Sequence, residues 1–114
     1  MPFLDSLFKR PDVDAFGKSL AAEISRRYPP ELDKQPEKRP SVNRMTRIVE
    51  DACAKAATFR DEHRVGWYGK AKLCNAFRWE LTSLGYGKQF IELATEALLV
   101  QLSRRGSGSA PKGE

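Results

Sequence analysis

One histidine, His63, and two cysteines, Cys53 and Cys74, are a thin supply of nucleophiles and soft metal ligands. Serine–histidine and cysteine–histidine catalysis both need the histidine. Within a helix over 41–63, Cys53 stands about 15 Å from His63 along the axis, too far to pair with it. Cys74 approaches only if neighbouring helices run antiparallel, and no third residue is placed to orient the pair. His63 closes an apolar seam near a helix end, where a satisfied boundary histidine is the expected role. Neither cysteine belongs to a CxxC pair, so no zinc site is expected. Both read as free thiols in a reducing compartment, the cytoplasm.

Other signatures are missing too. There is no HExxH, no Walker loop and no GxGxxG. "GYGK" (85–88) has two glycines and a lysine but neither the preceding strand nor the length of a phosphate loop. Its glycines serve to end a helix. Glu92 and Glu96 stand one helical turn apart, a spacing that suits a hard cation. They lie opposite the apolar face of their helix with no His or Asp nearby, as a solvated surface pair does. The expectation is therefore a protein that is not an enzyme, with no catalytic residue, metal or cofactor.

No apolar run approaches the ~20 residues of a membrane span. The opening "MPFLDSLFKR" does not read as a signal peptide, because Asp5 interrupts a short apolar stretch and no basic region precedes it. Phe3, Leu4, Leu7 and Phe8 share a side of a short N-terminal helical turn, which reads as a lid on the domain; a membrane-surface anchor is the alternative. No segment alternates with period two, so no sheet is expected, and no internal repeat is present.

What the sequence does contain is basic charge, unevenly spread. The formal net charge is +5. Residues 36–78 hold ten Lys or Arg and five acids, 10 − 5 = +5, which leaves ten of each sign and a balance of zero elsewhere. Such an excess suits an anionic partner, although helix surfaces are commonly rich in solvated charge. Arg44, Arg47 and Lys55 recur on one side of the helix over 41–63, and with Lys70 they are the candidate anion-binding residues.

The chain of 114 residues suits one domain, here 1–103, followed by a Gly/Ser/Pro-rich tail, 104–114, expected to be disordered. Four helices are expected. Asp12 caps the first, which carries a stripe of Val13, Phe16, Leu20 and Ile24 and stops at Pro29 and Pro30. "YPPELDKQPEKRP" (28–40) is a proline-rich connector, either ordered but irregular or flexible. Ser41 caps the second, whose seam of Val42, Met45, Val49, Ala52, Ala56, Phe59 and His63 advances by alternating steps of three and four. The third spans about 68–84, with Gly85 as its left-handed cap. The fourth, about 88–103, is apolar over half its circumference, as befits a central helix or one that also meets a second copy of the chain. Short turns at Gly66 and at 85–87 predict close packing among the last three helices. The fold class expected is all-α: a compact antiparallel four-helix domain.

"GWYGKAKLCNAFRWEL" (66–81) contains both tryptophans. On a helical wheel with Leu73 at zero, the core face centres near 30°, whereas Trp79 falls at about 240° and Tyr68 at about 220°. Tyr68, Lys72, Asn75 and Trp79 therefore form a second stripe, flanked by Arg78 and Lys70. Two roles compete for it. Trp79 is covered by the first helix or the N-terminal lid, or the stripe is exposed and holds a partner. A helix-turn-helix is not expected, because Glu92 and Glu96 follow Lys88 and Gln89 on the helix that would face phosphates. No RNA-binding signature is present. The function expected is a non-enzymatic helical binding module, an adaptor, inhibitor or assembly factor, contacting a protein through Tyr68, Lys72, Asn75, Arg78 and Trp79. The alternative is nucleic-acid binding through the basic segment 36–78.

Overall fold

Each helix begins and ends on a local signal. The computed structural model describes residues 12–104; the N-terminal turn and lid at 3–8, and the tail beyond Arg104, lie outside them. Helix α1 (Val13–Arg27) is capped by Asp12, whose Oδ1 accepts from the Ala15 amide at 3.0 Å. Prolines 29 and 30 end it, the second opening a single turn, α2 (Pro30–Asp33). A 3₁₀ turn over Pro36–Lys38 follows. Ser41 caps α3 (Val42–His63) by accepting from the Arg44 amide at 3.2 Å. Arg64 closes α3 in the left-handed region at φ 51°, a conformation more often given to glycine. Helix α4 (Trp67–Leu84) ends at Gly85, φ 102°, and the Tyr86 amide reaches back to the Leu81 carbonyl at 3.2 Å. Helix α5 (Lys88–Ser103) completes an all-helical fold. Among the described residues there is no strand, and no helix is long and apolar enough to cross a membrane.

The four long helices alternate in direction along the chain and share one core. Helix α1 runs antiparallel to α3: Phe16 stacks on Phe59 with centroids 4.0 Å apart, Lys55 bonds Glu23 at 2.6 Å, and Arg27 bonds Asp51 at 2.7 Å. The closest pair, however, is α1 with α4, side by side and parallel. Gly17 makes that approach feasible. A Cβ there would stand 2.8 Å from the Leu73 carbonyl oxygen and 3.1 Å from the Phe77 amide nitrogen. Helix α5 packs on both α3 and α4.

This pairing corrects one expectation. The three-residue turn at 64–66 does not make α3 and α4 close partners; α4 gives its core face to α1 and α5, and α3 gives its own to α5 and α1. The seam on α3 is also shorter than its periodicity suggests. Val42 and His63 are exposed, whereas Ile48 and Cys53, absent from that seam, are buried with Val49, Ala52 and Ala56. A repeat marks a face, but only the overlap with neighbouring helices decides how much of it is covered.

The proline-rich connector is an ordered strap. Asp33 is buried and accepts at 2.6 Å from the Tyr28 hydroxyl through Oδ1 and at 2.6 Å from the Gly87 amide through Oδ2. It therefore satisfies a donor at the start of α5, which has no capping side chain of its own. The Tyr86 hydroxyl donates to the Tyr28 carbonyl, and Tyr28, Tyr86 and Phe90 pack ring against ring. At the other end of α5, the buried guanidinium of Arg60 donates through Nη1 to the carbonyls of Gln101, Leu102 and Arg104 at 2.8, 3.2 and 3.0 Å. Its Nε bonds Asp61 at 2.9 Å. Arg60, one of the basic residues in the charge excess, is a helix cap rather than a surface charge.

Candidate interaction surface

Helix α4 divides cleanly. Leu73, Cys74, Ala76, Phe77 and Leu81 face the core. Tyr68, Lys72, Asn75, Arg78 and Trp79 face solvent, with Tyr68 and Trp79 each 63% exposed. Of the two covers expected for Trp79, α1 does not bury it, and the N-terminal lid lies outside the described residues. Lys72 lies 3.7 Å from Asp14 on α1, a half-exposed pair that leaves its ammonium largely hydrated. The helix carries one acid, Glu80, which is half-buried on the flank and not on this face.

Trp67 is the most exposed aromatic, at 79%, and sequence reasoning missed it. Beginning the helix at Tyr68 left Trp67 off the wheel; as the first helical residue it extends the same surface by another large ring. Free surface tryptophans and tyrosines expose apolar area that solvation alone does not reward. The helix beneath is held on two sides, by α1 and α5, so the rings are presented on a rigid backbone.

The candidate anion-binding residues are not gathered in one place. Arg44 and Arg47 are exposed on the first turns of α3, and Lys55 is engaged by Glu23. Lys70, by contrast, is half-buried on α4, beside the C-terminal end of α3 rather than its start. There it borders an open depression with Arg64 and Arg104. Of the ten basic residues in 36–78, Arg39, Lys55, Arg60 and Lys72 lie within 4 Å of an acid: Asp33, Glu23, Asp61 and Asp14. Much of the segment's charge is thus answered within the fold.

The residues capable of covalent chemistry are poorly set for it. His63 is exposed and rests on Phe59, ring centroids 4.5 Å apart. Cys53 and Cys74 are buried free thiols, and burial pushes each up to about 11, so neither is a thiolate near neutral pH. The proximity of Cys74 adds to the rise at Cys53. Glu92 and Glu96 are exposed on α5, and no cluster of three or more His, Cys, Asp or Glu side chains able to hold a metal occurs among the described residues.

A second exposed apolar face lies on α5, where Leu93, Leu99 and Val100 alternate with Glu92 and Glu96. An open groove lined by Val49, Ala54, Leu93, Ala97 and Val100 runs beside it, between α3 and α5.

No family model matches the chain, and no curated protein or solved structure matches it.

Proposed function

We propose that this chain is a non-enzymatic binding module that holds a protein partner on the solvent face of α4. The observation that carries the reading is the display of Trp67, Tyr68 and Trp79, all more than 60% exposed, on a helix otherwise well packed. Aromatic rings on a fixed backbone lose little conformational freedom on binding and are the side chains that dominate contact energies. Lys72, Asn75 and Arg78 supply polar contacts between and beside the rings. Adaptor, inhibitor and assembly roles all fit such a surface.

Trp79→Ala separates a surface role from a core one. As a surface residue its loss changes unfolding free energy by less than about 0.5 kcal/mol and weakens the partner complex by about 2 kcal/mol or more. A loss of about 3–5 kcal/mol in stability would mean the ring is core and would end the case for this surface. Nucleic-acid binding through 36–78 is the other outcome. It predicts retention on DNA or heparin that falls steeply with salt and disappears when Arg44, Arg47 and Lys55 are reversed in sign.

A further inference from the structure

We infer that the protein held by the solvent face of α4 is a second copy of this chain, which presents the solvent face of its α5. The inference rests on the reading of α4 as the working surface and names its occupant.

Exposed apolar area is concentrated on two helices. Of seven large hydrophobic side chains exposed among the described residues, six lie on α4 and α5: Trp67, Tyr68, Trp79, Leu93, Leu99 and Val100. The seventh, Val42, is the first residue of α3. The outer surface of α1 exposes none. A monomer that needed solubility alone has no reason to sort its apolar residues this way.

Charge is sorted along the same line. The solvent face of α4 holds Lys72 and Arg78 and no acid of its own, the nearest being Asp14 of α1, 3.7 Å from Lys72. On α5, Lys88 stands at the first position, and beyond it the solvent face holds Glu92 and Glu96 and no base. At 100° per residue, Glu92, Leu93, Glu96, Leu99 and Val100 occupy an arc of about 120°, as do Tyr68, Lys72, Asn75, Arg78 and Trp79 on α4. Two copies have three ways to pair these faces. With α4 on α4, bases meet bases. With α5 on α5, the symmetric dimer that the breadth of helix 88–103 suggests by itself, glutamates meet glutamates. Only α4 on α5 sets aromatic rings on aliphatic side chains and a basic face against an acidic one. The helices match in reach as well, 18 and 16 residues, or about 27 and 24 Å.

The test is the mass of the whole chain in solution, by sedimentation, from micromolar to millimolar concentration. The wild type should associate, and Trp79→Ala should weaken that association about thirtyfold. Two double variants, Lys72→Glu with Arg78→Glu and Glu92→Lys with Glu96→Lys, should each be monomeric while keeping wild-type helicity, the first melting only slightly lower for want of the exposed Lys72–Asp14 pair. An equimolar mixture of the two should associate again, because each altered face then meets its complement. A wild type monomeric at millimolar concentration overturns the inference, as does either double variant associating alone or a mixture that stays monomeric. If the wild type is monomeric yet captures another protein or a nucleic acid that Trp79→Ala does not, the copy-to-copy contact fails while α4 stands as a binding surface. If Trp79→Ala alters neither association nor capture, the α4 reading fails with it.

Discussion

Arg60 shows how one side chain ties two distant segments. Its guanidinium is 5% exposed and spans three carbonyls at the end of α5 while remaining bonded to Asp61. The guanidinium reaches the carbonyls through Nη1 and Asp61 through Nε at fixed positions, whereas an ammonium has all its donors on one nitrogen and cannot serve both places at once. Arg60→Ala leaves buried carbonyls without a donor and should cost about 2 kcal/mol or more. Arg60→Lys should recover part of it. A urea midpoint lowered at unchanged slope would report this loss, and an unmoved midpoint would show that water replaces the guanidinium freely. The two buried thiols make a second prediction at this scale. Burial raises both from the ordinary 9.0 to about 11, so in the window between those values the unfolded chain releases protons that the folded chain keeps. Stability contributed by the neutral thiols is complete below pH 9 and is lost as pH rises through 11. Tyr28 and Tyr86, whose phenols are also raised by burial, act with the same sign. Urea midpoints measured from pH 8 to pH 11 should therefore fall, and Cys53→Ala with Cys74→Ala should flatten the slope; an identical slope would mean the thiols titrate as they do when exposed.

At the scale of an element, the contact of α1 with α4 depends on a missing side chain. Ala is a better helix former than Gly by about 1 kcal/mol, so propensity alone makes Gly17→Ala stabilising. The structure reverses the sign. The added Cβ would meet backbone atoms of α4 at 2.8 and 3.1 Å, and a backbone locked in a helix cannot step aside as a flexible side chain does. Overpacking of this kind costs about 1–3 kcal/mol, so Gly17→Ala should lower the melting temperature. Gly66, where a Cβ meets nothing within 4 Å, is the control: Gly66→Ala should shift melting far less. Equal behaviour of the two variants would show that α1 and α4 can separate without cost.

For the whole molecule, the relevant fact is that residues from all four long helices join one apolar cluster, with no boundary dividing it. Local damage should therefore be felt everywhere. Val49 lies inside the cluster on α3, and Val49→Asp would bury a carboxylate with no partner, at about 3–5 kcal/mol. That is a large share of the roughly 5–15 kcal/mol a domain of this size commands. Helicity by circular dichroism and the protection of α4 amides from hydrogen exchange should be lost together in this variant. Loss of one without the other would mean that α4 folds independently of α3.

Sequence alone determined the four long helices, most of their ends and the core face of α4, while leaving open whether the opposite stripe met solvent or a cover. Those properties depend on hydrogen bonds and side-chain spacing within about four residues. Asp12, Ser41 and Gly85 could be read as caps, and Trp79 as lying off the core stripe, for that reason. Tertiary structure alone decided which helices pair and which charges are interior. The partner of Gly17 lies on α4, the carbonyls held by Arg60 are 41 to 44 positions away, and the amide held by Asp33 is 54 positions away. A periodic pattern shows that a face is apolar without showing what will cover it, which is why Val42 and His63 looked like seam and proved exposed. Burial of a charge is likewise decided by whether the fold brings enough acceptors or donors to replace water, and here those groups come from the far ends of the chain.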